Sequence, residues 1–549
     1  MQIFTVSDHR LIPVLFVALL AILPSSAIAE EDASPVGKPL AAKWEYSTDG
    51  GKTFVPGAPM IPPSRVPDEK NQVAARAVFT IDDPTAIGLL KLMTHGVEGG
   101  LALSDARSVD RYNVGSRPNL TNTRLKLNAA ATTAGHVPYT LYRYLSIDPA
   151  LLRKGENKLT VSGLFWFSAR DQTPLPGSLR LETLPTDVAT LDRHPVLGQV
   201  DGESFSLSAR SVIPVEFSVT AQSLDPPGEP KTHPLGRRRL LKTKVPLPKG
   251  TKKFRYTVNV SAAEKTKKYG PYNVVVPTDG QGFRFMVAGG TWIYGKHPES
   301  LKKFFTRVRH EKPQLYIHTG NYQNCNAWDW MWNHDFLRHG RTVLAETPLL
   351  PMCGCNEMLS PLAFSQTFYF PPDDKDYGHW SYAVGPVRFV AIEAFSQSQT
   401  ADPAAAAKWL DEVLSVAKEK YVIVLNSHVG QCGRAGRRFR PGVAHVEKHI
   451  DPLLVKHKVT LTIGGVYPIY QRLEPPATKG VPTIVAGRSG GLGAQNRLVS
   501  DALKLPHTKA AFGVGHYCLF EVTKDKLIMR TVDLDGKQID RREYQPRRR

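Results

Sequence analysis

Four cysteines and a histidine are the side chains best suited to hold a metal: Cys325, Cys353, Cys355 and Cys432, with His428. Thiolate and neutral imidazole together favour a soft or borderline ion such as zinc, iron or copper over magnesium or manganese. His318, His334, His379 and His516 are further candidate ligands. A Cys-x-Cys pair with a distant histidine does not fix a metal by itself, so disulfides, unliganded thiols and no metal at all stay open. All five cysteines, Cys518 included, lie at or after residue 325. Glu357, Glu393 and Asp329 could serve as acids or bases, or as structural hydrogen-bonding groups. Arg434, Arg437, Arg438 and Arg488 could attract an anion. Trp328, Trp330 and Trp332 could rim a pocket or simply pack a loop.

These residues follow short apolar runs. From Gly282 the sequence alternates buried-strand candidates with helical spacing: Phe283 to Ala288, a helix over 299 to 310, Leu315 to His318, Arg388 to Ala391, a helix over 404 to 418, then Tyr421 to Leu425, Val459 to Ile463, Thr483 to Val485 and Tyr517 to Glu521. Such alternation predicts an α/β domain. Its ligands are expected at the loops on the carboxyl ends of the strands.

Five of those loops carry glycine turns in a particular order: Gly289-Gly290-Thr291-Trp292, Gly320-Asn321-Tyr322-Gln323-Asn324, Gly354-Cys355-Asn356-Glu357, Asn426-Ser427-His428, and Gly464-Gly465-Val466-Tyr467. In order, spacing and flanks, such as Tyr369-Phe370, Gly385-Pro386-Val387-Arg388-Phe389 and Gly480 to Gly491, the segment resembles metallophosphoesterases of the calcineurin-like and purple acid phosphatase kind. That resemblance implies a two-layer α/β sandwich over 281–535 and a dimetal site in which a carboxylate bridges two cations. It also implies that the ligand positions are substituted. Gly290 brings no side chain, Asn321 is a neutral amide at the bridge, and Asn324 replaces the tyrosine of the purple enzymes. Cys355 replaces an asparagine ligand, Asn356 the histidine beside the leaving group, and Gly465 and Tyr467 two imidazoles. His428 alone keeps the family's ligand type in its place.

Two functions compete on these residues. One is a metallophosphoesterase-like protein that has lost its ordinary dimetal site and acts as a binding or surface protein. The other is a phosphoester hydrolase with an altered Cys/His metal site around His428, Cys325, Cys353, Cys355 and Cys432.

The 549 residues exceed what one core can fill. A polar start, the apolar run Leu11 to Leu23 and Ala27-Ile28-Ala29 predict a signal peptide over 1–29, hence a secreted or periplasmic protein with no span after its removal. Residues 30–42 read as a linker. Short punctuated β runs then predict a β domain over 43–190, whose Trp44, Asp49-Gly50-Gly51 and 147–161 segments resemble galactose-binding-like jelly rolls. A second β unit over 191–280, opening Pro195-Val196-Leu197-Gly198 and interrupted by a basic, proline-rich loop at 225–240, resembles the fibronectin type III-like domain that precedes purple acid phosphatase catalytic domains. Residues 536–549 read as a basic tail.

The chain carries 70 basic and 50 acidic residues, a formal charge of +20. The excess is dispersed, which suits an anionic ligand, a cell-surface polymer or a carbohydrate. No basic groove with interleaved aromatics and no specific nucleic-acid module is present in the sequence.

Overall fold

The computed structural model describes residues 37–49, 51–57, 60–61, 73–93, 124–127, 130–131, 144–147, 149–164, 175–176, 179–277, 283–291, 298–322, 332–354, 357, 361–372, 374, 378–393, 403–429, 446–465, 467–478, 480–490 and 496–547. Most of the described elements are strands. Among these residues no helix is long and apolar enough to cross a membrane.

The first β unit is antiparallel. A four-stranded sheet runs Lys38–Leu40, Arg180–Pro185, Ile87–Met93, Tyr144–Ile147, and a six-stranded sheet centres on Val73–Ile81 and Gly155–Leu164. Leu90, Leu92 and Leu181 of the first share one core with Ala75, Ala77 and Leu159 of the second. Lys38–Leu40 pairs with Leu181–Thr183, so part of the segment expected as a linker is a strand.

The second unit is built on the 22-residue strand Ser204–Asp225. Its register breaks between Arg210 and Val215, and beyond the break it pairs with both Lys231–Pro246 and Lys253–Ala262. Lys265–Val275 adds to Lys253–Ala262. The basic, proline-rich segment expected as a loop over 225–240 is therefore mostly strand. Lys231–Pro246 pairs only with Ser204–Asp225, and an edge position tolerates Pro234 and favours exposed basic side chains.

The C-terminal half holds two packed sheets. One has the order Leu349–Pro351, Leu315–His318, Phe283–Ala288, His516–Val522, Leu527–Asp533, Gln538–Tyr544. The other has the order His379–Val384, Val387–Ile392, Tyr421–Asn426, Leu461–Gly464, Thr483–Ala486, Tyr470–Leu473, Thr508–Phe512. Phe285 joins them, stacked on Phe520 with centroids 4.7 Å apart and edge-on to Phe389 at 5.0 Å. The helix Pro298–Glu311 lays Phe304, Phe305 and Val308 on the first sheet. The helix Pro403–Val416 lays Leu410 and Leu414 on the outer face of the second, over Val390, Val422 and Val424. The central strands are thus covered on both faces, which is why Tyr421–Asn426 reads as a continuous apolar run.

Gln538–Tyr544 pairs with Leu527–Val532, so part of the segment expected as a basic tail over 536–549 is a strand of this sheet. Past it, Arg547 donates from its backbone N–H to Lys420 O and from its guanidinium to the carbonyls of Ala417, Glu419 and His457.

Candidate functional site

Phe283–Ala288, Leu315–His318 and Leu349–Pro351 are mutually parallel, as are Val387–Ile392, Tyr421–Asn426, Leu461–Gly464 and Thr483–Ala486. Their carboxyl ends bring the glycine turns together. Gly290 N–H donates to Gly320 O at 3.0 Å, Ser489 N–H to Gly289 O at 2.8 Å, and Gly289 N–H to Ser489 Oγ at 3.0 Å. Thr319 Oγ1 donates to Ala486 O at 3.0 Å.

At Gly290, Gly465 and Gly487 the turns approach too closely to admit a side chain. A Cβ on Gly290 would stand 1.9 Å from Gly487 O, and one on Gly465 2.1 Å from Thr319 Oγ1. One on Gly487 would stand 1.9 Å from Tyr467 O. Gly290 also has φ +62°, a conformation that L side chains disfavour.

His318 is fully buried at the end of its strand, with its ring 3.6 Å from and nearly parallel to that of Tyr322. Gly320 N–H donates to Nδ1 at 3.1 Å, so the remaining proton sits on Nε2 and points at Thr291 Oγ1, 2.9 Å away. Thr291 in turn donates to Tyr322 O at 3.2 Å. Both ring nitrogens are engaged and burial holds the pKa well below its ordinary value. His318, expected as a possible extra ligand, is instead a neutral structural group. Tyr322 is buried against Trp332, Phe336 and Phe368, and burial raises its phenol well above the usual range.

Asn321, at the position expected to bridge, has φ +59° and is buried, with Oδ1 lying over Gly354. Its N–H donates to Glu357 Oε2 at 2.8 Å. Glu357 also accepts from Tyr322 N at 2.9 Å and Gly354 N at 2.9 Å. This carboxylate fills a nest of three backbone donors and ties two loops together. Burial raises its pKa to about 7 against those hydrogen bonds. Glu357, also considered as an acid or base, thus has a structural hydrogen-bonding role here.

Across the edge, His428 is fully buried after Tyr421–Asn426. Its Nδ1 lies 3.0 Å from Ser427 Oγ, which reaches Glu393 Oε2 at 3.5 Å, and its ring is edge-on to Tyr467 at 6.2 Å. Gly465 N–H donates to Ser427 O at 3.4 Å and joins this cluster to the glycine turns. Burial pushes the His428 imidazole down to about 3.

Arg488 is buried beside the same turns and donates through Nη1 to Gly513 O. It has no carboxylate partner among the described residues, and burial lowers its pKa to about 10. His516, expected as a possible ligand, bonds through Nδ1 to Val514 O at 2.9 Å. Burial, aided by the Arg488 charge, lowers it to about 4. His379 accepts from Glu393 N–H at 3.2 Å and stacks on Trp409. Cys353 lies at this edge, just before Gly354. Cys518 lies within the strand His516–Val522 and is a buried thiol pushed up to about 12 by burial.

Asn324, Cys325, Trp328, Asp329, Trp330, Cys355, Asn356, Cys432, Arg434, Arg437 and Arg438 lie outside the described residues, as does the side chain of His334. Among the described residues no three His, Cys, Asp or Glu side chains are grouped to hold a metal. Gly290, Asn321, Gly465 and Tyr467 supply neither a bridging carboxylate nor an imidazole, so they do not fit a carboxylate-bridged metal pair. The sequence reading missed Thr291, Thr319 and Ser489. Each stands next to a glycine turn or a buried strand end, and that placement is the signal that could have found them.

No family model matches the chain, and no curated protein matches it. Solved structures do. A purple acid phosphatase from yellow lupin (Lupinus luteus) seeds aligns with TM-score 0.55 and 11% identity over 87% of this chain and 94% of that one. PhoD aligns with TM-score 0.48 and 9% identity over 63% of this chain and 91% of its own. With the two-sheet order and the converging carboxyl-end turns, the likeness to the purple acid phosphatase shows that the chain has a metallophosphoesterase-like fold.

Proposed function

We propose that this is an exported metallophosphoesterase-like protein that has lost the ordinary dimetal phosphatase site and works as a binding or surface protein. The observation that carries the reading is the contact of Gly290 with Gly487 and of Gly465 with Thr319. Those two positions would need a carboxylate and an imidazole, and a side chain at either would collide with backbone. The two β units, read as galactose-binding-like and fibronectin type III-like, then become the parts that engage a ligand. The ligand class is an anionic or carbohydrate surface polymer, favoured by the +20 charge.

The test is metal analysis of purified protein, with turnover of p-nitrophenyl phosphate and bis-p-nitrophenyl phosphate before and after chelation. Absence of stoichiometric metal and of chelator-sensitive turnover is expected. Stoichiometric zinc, iron or copper, with turnover lost on chelation and in His428→Ala, would overturn this reading in favour of an altered Cys/His site.

A further inference from the structure

The outward face of the second β unit is made of cross-strand rows that the pairing registers define. Thr232, Thr220 and Thr257 form one row. Pro234, Ser218, Asn259 and Lys268 form the next. Arg237, Glu216, Ser261 and Thr266 form a third, and Gln222, Arg255 and Asn273 a fourth. The alternating residues Phe217, Val219, Val258 and Val260 are buried beneath, so the face is solvent-directed.

Threonine alone is ordinary on a solvent-facing strand. The distribution of donors and charge sets this face apart. Its hydroxyls and amides are already aligned by one another: Thr220 and Thr232 Oγ1 lie 2.9 Å apart, Asn259 Nδ2 donates to Ser218 and Thr220 at 3.2 and 3.3 Å, and Ser261 meets Thr266 at 2.8 Å. Arg237, Arg255 and Lys268 stand exposed on three different strands around that centre. None of the three makes an ion pair with a described residue, whereas Lys242, Lys265 and Arg239, off this face, meet Asp374, Asp187 and Asp192. Glu216 is the one carboxylate in the four rows.

We propose that this face binds an anionic polysaccharide, its hydroxyls over the Thr-Ser-Asn rows and its acidic groups at Arg237, Arg255 and Lys268. The proposal rests on the binding-protein reading above and names its surface and ligand. Neighbouring strands repeat at about 4.8 Å and same-face residues along a strand at about 6.7 Å, so the donors form a grid on the scale of successive sugar rings. The rows contain no aromatic side chain to stack on nucleobases and no large apolar one to enter a bilayer.

The test uses the full chain and measures binding to polygalacturonate, with neutral dextran, duplex DNA and phosphatidylglycerol vesicles as comparisons. Polygalacturonate should bind in a salt-sensitive way, dextran should not, and R237Q/R255Q/K268Q should weaken binding by at least about tenfold. Thr220→Val with Thr257→Val, which keeps strand propensity, should weaken it with the melting temperature unchanged. Unchanged affinity in both variants would overturn this face as the site while leaving polyanion binding in place elsewhere. DNA or vesicles bound more tightly, and lost in the same variants, would overturn the ligand class. Chelator-sensitive phosphatase turnover in the same preparation would sink the binding-protein reading without moving these affinities.

Discussion

Gly290 and Gly487 touch backbone to backbone, so close that a Cβ on Gly290 would stand 1.9 Å from the Gly487 carbonyl oxygen. The two residues follow strands of different sheets, and their contact joins the carboxyl-end turns of the two sheets. A side chain at Gly290 therefore conflicts with the packing.

Gly290→Asp and Gly290→Ala should each destabilise the protein by about 3 kcal/mol or more, through the collision and the φ of +62°. Gly57, with φ +88° and open space around it, gives the control: Gly57→Ala should cost about 1 kcal/mol. Denaturant unfolding measures both. A stable, metal-loaded Gly290→Asp protein would show that the edge opens at little cost.

His318→Phe leaves Gly320 N–H without its acceptor and Thr291 without its donor inside an aromatic pocket, a loss of about 2–4 kcal/mol. Thr291→Val should cost less, because the Gly320 bond survives. The ordering of the two unfolding free energies is the check, and bound metal should not differ from the parent in either variant.

Much of this architecture was legible in the sequence. The helix at 298–311 was readable from the helical spacing of Leu301, Phe304, Phe305 and Val308, and the strands at 283–288 and 421–426 because burial on both faces demands apolar runs. The glycine turns were readable because they end those runs. The role of His318 was not, since residue type does not reveal that Gly320 and Thr291 occupy its two nitrogens. Lys231–Pro246 passed for a loop because an exposed edge strand keeps proline and basic residues. Gln538–Tyr544 passed for a tail because it buries little beyond Tyr544.

The pH dependence of stability should have two opposed components. His428 and His516 are pushed from 6.5 to about 3 and about 4, so they stay neutral in the fold while the unfolded chain takes up protons. Their contribution is present above pH 6.5 and is lost as pH falls toward 3–4. Glu357 is raised from 4.5 to about 7, so its contribution is full below 4.5 and is lost as pH rises through 7. His428→Gln should flatten the acid limb of a melting-temperature profile, and Glu357→Gln the limb between pH 4.5 and 7. Parallel profiles for parent and variants would contradict these assignments.

Arg547 caps the far side of the same domain. Its guanidinium donates to the carbonyls of Ala417, Glu419 and His457, just past the helix Pro403–Val416 and at the end of the helix Asp451–Lys456. A cation there satisfies carbonyls left over by helix termini and opposes their negative partial charge. Arg547→Ala should cost about 1–2 kcal/mol, and Arg547→Lys should recover part of it, since one ammonium cannot reproduce the guanidinium fork. Hydrogen exchange should quicken at the C-terminal ends of both helices and leave the glycine edge unchanged. Unaltered exchange at 414–420 in Arg547→Ala would mean that the clamp does not operate in solution.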